Sequence, residues 1–288
     1  MRLGVVFAGD GVHAAANLGV LEELYARGME PYAVCGIHAG AWPAALFGAG
    51  HDMENMKKAL HQAARMGKRL ADGPLTFLWK RGCASILRSG RIEHLLRAQT
   101  GDRMLALCPR RALFLCRAAV SGRRVIFSSQ LYLQDAGALL SMQAGAGFAA
   151  RAAMALPPFL PPKSWMGSAL VPDGDTAFAC GQLLAMGAQR VLVVLPVPSP
   201  RRAPDALDLA GQHAMHAAAS ALPPDACMLR VTMPDTVGAL SFDGMLLCGQ
   251  AGREAAQAQL DALFERMGMA QCRVLPFRRP PAAQGLGG

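Results

Sequence analysis

Apolar residues come in short unbroken blocks near the start of the chain and at helical spacing between those blocks. Arg2–Ala8 carries Leu3, Val5, Val6 and Phe7 and closes on Gly9, a run of the length and continuity of a strand buried on both faces. After the turn Gly9-Asp10-Gly11, the stretch Asn17–Arg27 sets Leu18, Leu21, Leu24 and Tyr25 on one helical face and stops at Gly28. Pro31–Cys35 reads as a second strand. Trp42–Gly48 opens a second helix, with Pro43 in the first turn, where a missing N–H costs little. Strand, helix, strand, helix with short links is the pattern of a parallel sheet covered by helices.

The pattern continues less regularly. Met53–Leu107 reads as helical and basic. Leu113–Val120 and Arg124–Ser128 read as strands joined by Ser121-Gly122-Arg123, and Leu133–Leu156 as a helix before the proline-rich connection Pro157–Pro162. Ala169–Val171 leads into the turn Pro172-Asp173-Gly174-Asp175, and a helix follows to Met186, ended by Gly187. Val191–Pro196 and Met228–Thr232 are expected strands; Ala203–Ala219 and Arg253–Met267 are expected helices. There is no internal repeat. The expectation is one α/β domain over residues 1–277, with helical additions from about residue 200 and an Arg/Pro/Ala/Gly-rich flexible tail over 278–288.

The second strand ends in Cys35-Gly36-Ile37-His38-Ala39-Gly40-Ala41. A strand that runs through glycine, one polar residue and glycine into a helix is the layout of a nucleophile elbow, G-x-S-x-G, which lifts one side chain into a cavity. His38 stands where the serine belongs.

Composition narrows the setting. Hydrophobic residues make up 52% of 288, enough for a large core. Leu3–Gly9 is too short for a secretory signal and is interrupted by Asp10. Ala136–Ala150 is too short and glycine-broken to span a membrane. The 8 cysteines form no C-x-x-C pair and read as reduced thiols, so a cytoplasmic protein is expected. The net charge of +9 favours anionic partners. Nucleic acid is not among those expected, since no binding motif accompanies the charge and aromatics are only 6%. Lys57–Arg91 mixes Lys57, Lys58, Arg65, Lys68, Arg69, Lys80, Arg81, Arg88 and Arg91 with Leu70, Leu75, Phe77, Leu78 and Trp79. That mixture suits either a solvated helical cover or the surface of an anionic bilayer.

Taken in order, these pieces resemble the patatin-like phospholipase family, bacterial lipid acyl hydrolases with a Ser–Asp dyad. Ala8-Gly9-Asp10-Gly11-Val12-His13-Ala14 sits where that family has its glycine-rich oxyanion loop, and Asn17-Leu18-Gly19-Val20-Leu21 continues the match. Gly36 to Gly40 matches the elbow, and Ser121–Ser128 the internal hairpin. Arg151–Pro162 matches the apolar-proline block, Val171–Asp175 the motif of the catalytic aspartate, and Leu240-Ser241-Phe242-Asp243 the approach to the last helix. The resemblance covers Met1 to Met267. It implies a three-layer sandwich, a mostly parallel sheet with helices on both faces. It also implies a site made of His38 and Asp173 at the catalytic positions, Gly9, Asp10, Gly11 and His13 in the oxyanion loop, and Gly36 and Gly40 at the elbow.

The departures from the family fall on its chemistry. His38 has no hydroxyl for an aspartate to deprotonate, and Asp10 sets a carboxylate beside the oxyanion donors. His13 replaces the basic residue of the loop, Ala14 the glycine after it, and Asp175 follows Asp173-Gly174. The expectation is therefore a degenerate acyl hydrolase that binds a lipid, an acyl ester or a partner, with His38 and Asp173 hydrogen-bonded across the old site and no cofactor. Two other readings stay open. One is an active hydrolase using His38 or a displaced serine, although Ser164 and Ser168 look like surface residues. The other is a divalent metal held by His13, His38 and Asp173, with Asp10 and Asp175 nearby. His213 and His216 read as a surface pair.

Overall fold

The computed structural model describes residues 1–70, 87–132, 137–209 and 222–269. Its centre is a sheet in the order β5-β4-β3-β2-β1-β8-β9. The strands are β1 (Leu3–Phe7), β2 (Ala33–Gly36), β3 (Arg111–Ala118), β4 (Arg124–Ser128), β5 (Leu139–Ser141), β6 (Lys163–Trp165), β7 (Ser168–Pro172), β8 (Arg190–Val197) and β9 (Ala226–Thr232). β1 pairs in parallel with β2 and β8, β2 with β3, β8 with β9, and β4 with β5. The antiparallel pairs are β3 with β4, β3 with β7, and the hairpin β6–β7. The helices are α1 (Ala16–Ala26), α2 (Ala41–Gly48), α3 (Met53–Leu70), α4 (Ser89–Thr100), α5 (Ala146–Ala153), α6 (Thr176–Ala185) and α7 (Met245–Arg266).

The central strands are apolar on both faces because both faces are covered. Val5, Phe7 and Val34 join Leu21, Leu46 and Leu260 in one core, under α1, α2 and α7. Val6, Cys35 and Val193 point the other way, onto Cys180 and Leu183 of α6. The result is a three-layer α/β architecture, a mostly parallel sheet between two helical layers.

One detail of the sheet prepares the site. β2 pairs with only the first half of β3, from Arg111 to Phe114, and then turns away. β7 takes the vacated edge from the opposite direction, pairing with Cys116, Arg117 and Ala118. The chain leaving β7 brings Asp173 beside Leu115, whose carbonyl accepts from the Asp173 amide at 3.3 Å. Asp173, far from His38 in sequence, is thus carried to the edge that β2 leaves.

Several expected elements differ. Among the described residues of Met53–Leu107, α3 covers Met53–Leu70, α4 covers Ser89–Thr100, and a 3-10 turn spans Leu105–Leu107. Residues 71–86, which include Leu75, Phe77, Leu78, Trp79, Lys80 and Arg81, lie outside the described residues. Among the described residues of Leu133–Leu156, the α-helix is α5 alone, and Leu139–Ser141 adds to the edge of β4 instead. Glycines at 137, 145 and 147 make a long helix there costly. β6 was not expected, and α7 begins eight positions before Arg253. Within Ala203–Ala219, residues 206–209 are helical; from 210 onward, His213 and His216 included, the stretch lies outside the described residues, as does the tail 278–288. Among the described residues no helix is long and apolar enough to cross a membrane.

Candidate active site

The elbow forms as its sequence requires. The Ile37 amide donates to the Phe7 carbonyl at 2.9 Å, holding β2 to β1 up to its last residue. His38 then takes φ 51°, a left-handed conformation uncommon for a residue with a Cβ, and a 3-10 turn over His38–Gly40 runs directly into α2. Such a backbone costs about 1–3 kcal/mol and persists only where its surroundings hold it. Here they do. The Ala39 amide donates to the Gly9 carbonyl at 3.0 Å, and Gly40 passes so close to β1 that a Cβ would sit 2.0 Å from the Phe7 carbonyl oxygen. Gly11, at φ 51°, is equally constrained: a Cβ would lie 1.9 Å from the Ala239 carbonyl oxygen. Gly9 and Gly36 close β1 and β2 at the same end of the sheet.

The imidazole of His38 is buried, and its partner is Asp10. Nδ1 lies 2.8 Å from Asp10 Oδ1, both side chains being about one-twentieth exposed. This corrects the expectation of a bond to Asp173. The reason is topological: β1 and β2 are adjacent parallel strands, so the residues just past their ends, Asp10 and His38, are the nearest neighbours available. Burial is the largest influence on His38 and disfavours the imidazolium. The charge and hydrogen bond of Asp10, with the charge of Asp173, outweigh it, and the pKa of His38 is raised above its usual 6.5. Asp10 Oδ2 is buried without a hydrogen-bond partner.

Asp173 is occupied elsewhere. Its carboxylate accepts from Arg117 Nη2 at 3.1 and 3.2 Å and from Arg124 Nε at 3.0 Å. Arg124 also pairs with Asp175 and lies 3.8 Å over the ring of Phe178. Asp175 caps α6, its Oδ1 accepting from the Phe178 amide at 2.9 Å. The sequence reading missed both arginines. Their signal is the hairpin register: Arg117 and Arg124 stand directly opposite across β3 and β4, and like charges in that position need an anion between them.

His13 faces away from His38. Its Nε2–H donates to the Val237 carbonyl at 3.1 Å, and its Nδ1 is 3.5 Å from Asp208, itself paired with Arg202. Burial, the leading cause, lowers the His13 pKa. No group of three or more His, Cys, Asp or Glu among the described residues is gathered closely enough to hold a metal ion, so the reading that joined His13, His38 and Asp173 around a metal is set aside. Ser164 and Ser168 are exposed on the β6–β7 hairpin.

Asp10 and His38 form one wall of a cavity of about 90 Å³. Its other walls are apolar side chains from α3, α4, α7 and the proline-rich connection, among them Ala63, Leu70, Leu95, Leu96, Phe159 and Met245. The Trp42 ring also faces it, with its indole N–H donated to Gln99 Oε1 at 2.8 Å.

A mostly parallel sheet, helices on both faces and a left-handed residue between β2 and α2 define a patatin-like fold. Among solved structures, VipD from Legionella pneumophila shares it with a TM-score of 0.51 at 13% identity, over 91% of this chain and 67% of VipD. The type III effector ExoU aligns with a TM-score of 0.48 at 15% identity, over 92% of this chain and 53% of ExoU. ExoU of Pseudomonas aeruginosa in complex with SpcU aligns at 14% identity with a TM-score of 0.43, covering 93% of this chain and 53% of that one. This chain thus spans about two thirds of VipD and about half of ExoU. No protein-family model and no curated protein matches the sequence.

Proposed function

We propose that this protein is a degenerate lipid acyl hydrolase that binds a lipid or acyl ester without serine chemistry. The observation that carries the reading is the residue at the elbow: an imidazole, hydrogen-bonded to Asp10, facing an apolar cavity. Asp173, the expected base, is spent on two arginines and makes no bond to His38. Asp10 raises the pKa of His38, and protonation makes an imidazole a weaker nucleophile and a weaker base. Purified protein assayed on short-chain and phospholipid esters, and with a fluorophosphonate probe, is expected to match a His38→Ala control while still taking up a fluorescent fatty probe. Turnover above that control sinks the reading.

A second reading has its own support. A buried carboxylate on Nδ1 leaves Nε2 as the reactive nitrogen, the arrangement by which a histidine is oriented as a general base. Nε2 would take a proton from water as its oxygen attacks an ester carbonyl, then return it to the leaving alcohol. This reading requires activity that rises with pH as His38 loses its proton and that disappears in both His38→Ala and Asp10→Asn.

In either case we place the protein in the cytoplasm, with an anionic membrane surface as the source of ligand. Part of the basic stretch is already engaged: Lys57 pairs with Glu22, Lys58 with Glu54, and Arg91 donates to the Arg69 carbonyl.

A further inference from the structure

Two hairpin tips stand side by side at the carboxyl end of the parallel strands. β7 runs antiparallel to β3, with Ala118 opposite Leu170 and the Ala119 amide donating to the Ala169 carbonyl at 2.8 Å. The turn after β3 therefore lies beside the turn between β6 and β7. His38 follows β2, whose last residue pairs with Phe114, so β3 runs on past the level of the elbow before it turns. Each tip ends in an uncovered apolar side chain: Val120 is 98% exposed and Met166 82%, the two most exposed large apolar residues among those described.

The turn itself does not ask for these side chains. Met166 has φ 47° and Gly167 φ 77°, the left-handed pair of a two-residue hairpin turn whose first place asparagine fills most readily. A bulky apolar residue there is uncommon and buries nothing within the fold. The platform beneath is fixed: the Trp165 ring meets Phe127 edge-on at 5.2 Å, and Lys163 lies 5.4 Å over the ring of Phe148. The charge around the tips has one sign. Residues 111–128 carry Arg111, Arg117, Arg123 and Arg124, residues 163–172 carry Lys163, and neither stretch holds an Asp or Glu. Arg117 and Arg124 are paired with Asp173, and Lys163 with Glu93. Arg123 is exposed, and its guanidinium has no ion-pair partner among the described residues. Two projecting side chains offer far less than the roughly 800 Å² per partner that a stable protein interface buries. Apolar tips with a free cation behind them fit an acyl layer under anionic head groups. β6 also follows directly on the proline-rich connection, whose Phe159 and Leu160 line the cavity, so lipid at the tips lies near the cavity wall.

We propose that Val120 and Met166 form a two-pronged wedge that enters the acyl layer of an anionic bilayer, with Arg123 on the lipid phosphates. This rests on the membrane reading above and names the surface that makes the contact.

The test is co-sedimentation of the full chain with vesicles of phosphatidylcholine alone and of phosphatidylcholine mixed equally with phosphatidylglycerol. The unaltered protein is expected on the mixed vesicles, more weakly on phosphatidylcholine, and less as salt is raised. Val120→Ser with Met166→Asn should weaken binding to the mixed vesicles by at least about tenfold. Its fold should hold, since both positions are exposed and asparagine suits the left-handed turn. Arg123→Ala should weaken it by about fivefold and lessen the salt dependence. Leu107→Ser removes an exposed apolar side chain ahead of β3, at the opposite edge of the sheet, and should bind as the parent does. A double variant that binds as tightly as the parent overturns the wedge and leaves the membrane reading standing. An unaltered protein that stays off the mixed vesicles removes both. Equal binding to the two vesicle types overturns the role of Arg123. A dimer in lipid-free solution that the double variant breaks gives the tips to a second copy of the chain and overturns the proposal.

Discussion

Gly40→Ala probes whether the elbow is as tightly seated as its contacts indicate. The new Cβ would lie 2.0 Å from the Phe7 carbonyl oxygen, 2.5 Å from the Phe7 carbonyl carbon and 2.9 Å from the Ala8 nitrogen. Ordinary contact begins near 3.4 Å, so α2 and β1 would have to separate by about 1.4 Å. Every atom met is backbone, so no rotamer change relieves the clash. Phe7 is pinned by parallel pairing to Gly36 on one side and Val194 on the other. Overpacking of this kind costs about 1–3 kcal/mol, and the absence of any flexible neighbour puts this case at about 3 kcal/mol. For a domain of this size that is a fall in Tm of about 6–12 °C. Gly90→Ala, near the start of α4 with nothing within 4 Å of its added Cβ, serves as the control. It should be neutral or stabilising by a few tenths of a kcal/mol, since alanine is the better helix former. Urea unfolding of both variants measures the difference. A Gly40→Ala protein within about 0.5 kcal/mol of the parent would refute the tight elbow and the positioning of His38 that depends on it.

His38→Ser should not restore esterase activity, because Asp173 is held by Arg117 and Arg124 and Asp10 still sets its carboxylate in the loop; hydrolysis of p-nitrophenyl esters above the His38→Ala level would contradict this. Stability should be greatest near the ordinary histidine pKa of about 6.5. His38, with its folded pKa raised, contributes stability that is complete below the unfolded value and lost as pH rises through the folded one. His13, with its folded pKa lowered, is lost in the other direction, as pH falls below the unfolded value. Denaturant midpoints across this range should show both slopes, and His38→Asn should flatten only the alkaline one. Arg124→Ala strips Asp173 of one of two guanidinium partners and uncovers Phe178, for a loss of about 1–3 kcal/mol by thermal unfolding; an unchanged midpoint would mean Arg117 alone suffices.

The sequence by itself determined the backbone of the site. Unbroken apolar blocks at Leu3–Phe7 and Ala33–Gly36, helical spacing after each, and glycines at 9, 11, 36 and 40 prescribe strand, loop, elbow and helix through local sterics and periodicity, and the structure has them. It also announced that His38 stands at the turn. What it left undecided was which side chain meets which. Asp10 rather than Asp173 holds His38 because β1 and β2 are adjacent in the sheet. Asp173 goes to Arg117 and Arg124 because the registers of β3, β4 and β7 bring those three together from positions up to 56 residues apart. His13 is drawn off by a carbonyl 224 residues away. Local geometry is written in neighbouring residues, whereas charge pairing depends on distances that only the assembled sheet sets.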